Sequence, residues 1–285
     1  MIDVVLVTLR ELVRRRFVLA AIVATALLVA LTAWGFHSLT HAHDRHGATL
    51  SPLEVRTTSA GLVLLIAYMF SFVLAVAATF VAAPALANEI ESGVLLPIVV
   101  RPIARASILL GKTIGIGLML GAYLLVAGIA ELTIVRAITG YAPPHPFEAF
   151  GFVWLLALVM VAFATLLGTR LSAIASSIVA VVLFGIAWIG GIVGGIGGAV
   201  HNQALVNAGT ISQLVLPSDA MWQAAAYRLE PVAMIVGMQQ AAAHNSYGGP
   251  FLIAAPPPLP MLLWTLAWIV VVVSLASWSF ARRSL

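Results

Sequence analysis

The sequence predicts an all-α integral membrane protein: six transmembrane helices, an interfacial helix ahead of the first, a short cytoplasmic helix between spans two and three, and an external, partly re-entrant segment before span six. Three observations carry the membrane class. Of 285 residues, 62% are hydrophobic and only 8% charged, against about 25% charged in a soluble domain. Too little polar material remains to cover a water-exposed surface. Six apolar runs come close to or exceed the ~20 residues a helix needs to cross a bilayer. The basic residues also divide unevenly between the connections. The chain has no cysteine, which excludes disulfides, thiol catalysis and thiolate metal sites. It has no long basic tract, so nucleic acid is not a predicted partner.

Residues 1–16 come first. Ile2, Val5, Leu6, Leu9, Leu12 and Val13 follow helical spacing on one side, and Asp3, Arg10, Glu11, Arg14 and Arg15 fill the other. That pattern predicts a helix lying in the membrane interface. The first span is 17–36; its sixteen-residue charged lead argues for a retained anchor rather than a signal peptide. A polar loop, 37–58, follows. The second span, 59–87, exceeds the crossing length, which predicts a tilt or a kink at Pro84. After the charged stretch 88–106, the third span is 107–134, with Glu131 near its far end. Pro143, Pro144 and Pro146 mark a loop. Spans four and five, 150–167 and 173–200, flank a tight turn with Gly168 and Arg170. Residues 201–259 read as an irregular external segment, partly re-entrant or lying on the membrane. Its two short apolar pieces, 211–216 and 220–236, are broken by Pro217 and Pro231. The sixth span, 261–280, is followed at once by Arg282 and Arg283.

Six spans place both termini on one side. That side holds Arg10, Arg14, Arg15, Arg16, Arg101, Arg105, Lys112, Arg170, Arg282 and Arg283. The other holds Arg45, Arg56, Arg136 and Arg228. The positive-inside rule puts the richer side, with both termini and the 88–112 stretch, in the cytoplasm of a cell whose inner membrane holds the chain. All seven histidines fall outside.

The stretch 88–112, NEIESGVLLPIVVRPIARASILLGK, concentrates charge and proline between two spans. Glu89 and Glu91 precede the apolar run 94–100, and Arg101-Pro102 ends it. Carboxylates at a helix start and a cation at its end suit the helix dipole, so a short helix along the membrane face is predicted. Gly111-Lys112-Thr113 imitates the end of a phosphate-binding loop. That loop requires a glycine where Ala106 stands, and a preceding strand. ATP binding by this chain is excluded on those grounds.

The run Glu89-x-Glu91-x-Gly93-x-Leu95, then Pro102-Ile103-x-Arg105, then Leu110-Gly111-Lys112 resembles the loop between the second and third spans of ABC-2-type transporter permeases. Val94 stands where many members have threonine. The six-span layout and the long segment before the last span resemble that family too. The run Leu216-Pro217-Ser218-Asp219-Ala220-x-Trp222, leading to Leu229-x-Pro231, resembles the external segment of the group containing the nitrous-oxide-reductase copper-maturation permease. The resemblance implies a permease subunit that is not an enzyme by itself and works as a homodimer. A separate ABC ATPase would hold ATP and Mg. It further implies that the 88–106 stretch forms a cytoplasmic coupling helix, and that Glu89, Glu91, Gly93, Arg101, Pro102 and Arg105 contact that ATPase.

Two other features invite function. His41, His43 and His46 have a spacing at which neutral imidazoles ligate zinc or copper; a solvated polar loop is the bland alternative. Gly190, Gly191, Gly194, Gly195, Gly197 and Gly198 crowd the end of span five, and glycines four apart let helices approach closely. A dimer face, an outer gate and packing within one chain all stay open there. Charge is nearly absent from span interiors, where proton and ion relays keep it. That favours a hydrophobic or amphipathic cargo. The competing classes are a membrane scaffold or assembly factor for a metalloenzyme, and a metal-linked membrane protein using the histidine loop.

Overall fold

The computed structural model describes residues 2–14, 16–42, 49–91, 105–236, 253 and 255–282. They form helices α1 (Ile2–Arg14), α2 (Arg16–Thr40), α3 (Pro52–Glu91), α4 (Arg105–Thr139), α5 (Pro146–Gly168), α6 (Ala173–Ala199), α7 (Gln203–Val215), α8 (Ser218–Leu229) and α9 (Leu259–Ala281). Six of these, α2 to α6 and α9, are long and apolar enough to cross a membrane.

The helices outrun the predicted spans, because a helix need not stop where the lipid stops. Residues 37–40 and 52–58, read as loop, are helical. The start of α3 has a local cause. Ser51 Oγ accepts from the Glu54 backbone N–H at 3.3 Å, and the Glu54 carboxylate accepts from the Ser51 N–H at 2.8 Å. This reciprocal cap, with Pro52 in the first helical position, nucleates a helix seven residues before the predicted span. Pro84 lies inside α3.

α5 is the central post. Leu156, Ala157, Val159, Met160, Val161, Ala162 and Ala164 are each at most 2% exposed, so the helix is enclosed on nearly every side. It packs against α3, α4, α8 and α9. α1 lies along the start of α4, where Gly115 leaves room for Thr8 and the Val5 carbonyl, and it buries Thr8 and Leu12. α2 is the peripheral span. It leans on α4, barely touches α3, and leaves Leu19, Ile22, Leu27, Leu31 and Trp34 each more than 60% exposed.

Within the segment expected to be irregular, the described residues 201–236 are instead mostly helical. α6 turns back through His201, at φ 53°, and Asn202 caps α7 by accepting from the Ala204 and Leu205 N–H groups. α7 then runs antiparallel to α6. Gly194 faces Gly209, with only 3.0 Å between its notional Cβ and the Gly209 Cα, and Gly197 faces Leu205. The glycines are therefore used for close packing within the chain. Ser212 reaches the Ala187 carbonyl, at the midpoint of α6. There Leu216-Pro217 reverses the chain and α8 climbs back. Its upper end meets the loop after α4: Tyr141 donates to the Leu229 carbonyl at 3.0 Å, and the His145 N–H to the Arg228 carbonyl at 3.2 Å.

Candidate functional site

The two ends of the bundle are built differently. At the predicted cytoplasmic end, Leu86 (α3), Ile108 and Leu109 (α4), and Ala276 and Phe280 (α9) make a closed apolar cluster. Lys112 donates to the Ala85 carbonyl at 2.7 Å, a cation placed near the negative end of α3. Arg170 Nε donates to Ser279 Oγ at 2.8 Å; Ser279 lies 2.8 Å from Thr169 Oγ1, which donates to the Leu166 carbonyl. This chain of bonds ties the α5–α6 turn to the end of α9. The end of α3, the start of α4, that turn and the end of α9 thus form one latched plate.

The charged stretch leaves and re-enters the bundle at this plate. Glu89 and Glu91 occupy the last turn of α3, and Arg105 the first residue of α4. Gly93, Arg101 and Pro102, with the predicted short helix, lie outside the described residues.

The opposite end and the base of α8 carry further acids, of which Asp219 and Glu230 are buried. Glu148 pairs with Arg228 at 3.1 Å and with His145 at 3.5 Å. Asp219, at the base of α8, accepts from Gln213 and Gln223 at 2.9 and 2.8 Å. Burial outweighs those bonds and pushes its carboxyl up to about 6. Glu230 is fully buried. One oxygen accepts from the Ile253 N–H at 2.7 Å, and the other has no partner among the described residues. Burial pushes it up to about 7. Burial, with the Glu230 charge beside it, pushes the Tyr141 phenol up to about 12. At the base of the α7–α8 V, the indoles of Trp264 and Trp268 donate to the Leu214 and Val215 carbonyls, each at 3.0 Å. Those are last-turn carbonyls of α7, which have no partner within their own helix.

The His41 ring lies tilted against that of His37, with centroids 4.6 Å apart; His43 and His46 lie outside the described residues. No group of three metal-ligating side chains forms among the described residues. Sequence reasoning passed over Arg170–Ser279, Glu230, and the Thr32–Glu131 bond between α2 and α4. Each pairs distant residues, with no local pattern to announce it.

Five apolar spans are arranged about a sixth, the central post α5, and the sequence of almost the whole chain matches one family model. The family model described as ABC-2 family transporter protein aligns with residues 4–285. The chain belongs to the ABC-2 transporter family. It is a membrane permease component of an ABC transporter, and membership implies pairing with an ABC ATPase subunit. The match is to the family as a whole and does not extend to the copper-maturation group. Among curated proteins no match is found.

Proposed function

We propose that this permease exports a hydrophobic or amphipathic substrate across the inner membrane. It works as a homodimer with both termini in the cytoplasm, driven by two copies of a separate ATPase. ATP and Mg belong to those subunits. The observation that carries this reading is the latched plate. A push on the 88–106 connection enters α3 and α4 at residues tied to the α5–α6 turn and to α9. The plate therefore moves as a unit and passes the motion to five spans, α3, α4, α5, α6 and α9. Glu89, Glu91, Gly93, Arg101, Pro102 and Arg105 form the docking surface. The α7–α8 V, whose helices of 13 and 12 residues are each about 20 Å long or less, is too short to span and dips from the outer side. The narrower likeness to copper-maturation permeases rests on the Leu216–Pro231 run. The scarcity of charge inside the spans favours a hydrophobic or amphipathic cargo over an ion-coupled one, and cargo movement in sealed vesicles would separate a transporter from a scaffold.

The test is a mild-detergent pull-down from native membranes with ATPase activity assayed on the eluate. Wild type is expected to bring down a vanadate-sensitive ATPase, and Glu89→Lys/Glu91→Lys to lose it. An ATPase retained in full by the double variant would remove these carboxylates from the docking surface.

A further inference from the structure

A slender cavity of about 60 Å³ runs between α2, α3, α4 and α5. Along α4 it extends from Leu124 to Val135, about 16 Å at helical rise. Its walls are apolar, among them Val63, Ile66, Phe70 and Phe150, with two polar exceptions, Thr25 and Glu131. Thr25 is satisfied: its hydroxyl donates to the Ala21 carbonyl and lies 2.8 Å from the Tyr123 hydroxyl. Glu131 is not. One carboxylate oxygen accepts from Thr32 on α2. The other is buried with no partner among the described residues. A buried acceptor left unpaired is costly, and an ionisable group inside a span marks a functional site by default.

The cover over this carboxylate is the least anchored span. α2 holds Glu131 through Thr32, barely touches α3, and presents Leu27, Leu31 and Trp34 outward. Displacing α2 from α3 exposes an apolar slot with a single acceptor toward its outer end. Its volume of about 60 Å³ suits one narrow chain, and its one unpaired group calls for a donor.

We propose that this slot is an entry site for a single-chain lipophilic amine from the membrane. The ammonium replaces Thr32 on Glu131, and the alkyl tail lies along α4 toward Leu124. This deepens the transport reading above, on which it rests, by giving the substrate class.

The test is binding of dodecylamine to the purified permease in phosphatidylcholine nanodiscs, with dodecanol as the uncharged control. Binding of the amine is expected to be about tenfold tighter than that of the alcohol, as a charge-assisted bond is stronger than a neutral one. Glu131→Gln should erase that preference and leave dodecanol unchanged. Thr32→Val, which frees the carboxylate, should tighten amine binding. Ala127→Phe, which fills the slot, should weaken both ligands. Equal binding of amine and alcohol to wild type, or an amine preference that survives Glu131→Gln, overturns the proposal. Competition by an ethanolamine phospholipid would also overturn it, by making a two-chain lipid the occupant. The assay needs no ATPase. Failed amine binding beside an intact ATPase pull-down sinks this inference alone, and the reverse result sinks the transporter reading alone.

Discussion

The plate at one end of the permease and the α7–α8 V at the other show two ways of fixing helices in an apolar bundle. The plate is held by large apolar side chains and by bonds from Lys112 and Arg170 to carbonyl and hydroxyl groups. The V is held by absence of side chain, at Gly190, Gly194, Gly197 and Gly209, and by carboxyls buried beside partial sets of partners. Long side chains tolerate small displacements because their rotamers adjust. A glycine seam does not, since backbone meets backbone. The comparison gives the V a set, narrow packing geometry and the plate adjustable contacts, which suit the force reception proposed for it.

The largest effect expected from breaking this contrast is at the seam. Gly194→Leu would drive a side chain into Gly209 and should cost about 3 kcal/mol, the upper part of the overpacking range. Gly198→Leu, whose Cβ meets open space, should cost little. Thermal unfolding of the two variants in the same detergent checks the pair. A similar loss in both would mean that the seam is not where the V is fixed.

A second expectation sharpens the contrast by pH. Asp219 and Glu230 hold their protons more tightly in the folded chain than in the unfolded one. Their contribution to stability is therefore greatest in acid. It declines as pH rises, between 3.8 and about 6 for Asp219 and between 4.5 and about 7 for Glu230. The melting temperature should fall from pH 4.5 to 7.5, and Glu230→Gln should flatten the upper part of that fall. A flat profile in wild type would show both carboxyls to be solvated.

The smallest effect is expected at the plate. Arg170→Ala removes bonds from a residue that is itself exposed, and should cost roughly 1 kcal/mol or less. Its signature is functional. ATPase activity in the complex should persist while its stimulation by cargo declines. A drop in melting temperature as large as that of Gly194→Leu would erase the distinction between the two ends.

Much of this architecture was legible in the sequence for a simple reason: lipid demands long apolar runs, and six such runs are plain. Helix ends were less legible, since 37–40 and 52–58 continue as helix outside the apolar stretch. The Ser51-Pro52-Leu53-Glu54 cap was present in the sequence and would have moved one boundary. The V was missed as ordered structure because α8, SDAMWQAAAYRL, has too little apolar bulk to read as core. Yet Ala220, Met221, Ala225 and Ala226 are fully buried, since small residues are enclosed by proximity rather than by hydrophobic pattern. The proposed docking residues rest on resemblance alone. Glu131 was visible as the one acid inside a span, but its partner Thr32 is 99 positions away.

One feature of α9 links the two ends. Met261, Thr265, Trp268, Val272, Ala276 and Ser279 are its buried stripe, spaced to fall on one face of the helix. Near the outer end of that stripe two indoles grip the tip of the V, and at the inner end Ser279 is gripped by the α5–α6 turn. Trp268 and Ser279 stand eleven positions apart, about 16 Å along a straight helix. A helix clamped at both ends on one face behaves as a connecting rod. When the plate shifts axially, the tip of the V must follow by the same distance or the Val215 carbonyl loses its donor. On the export reading proposed above, the outward stroke would be set by the travel of this last helix.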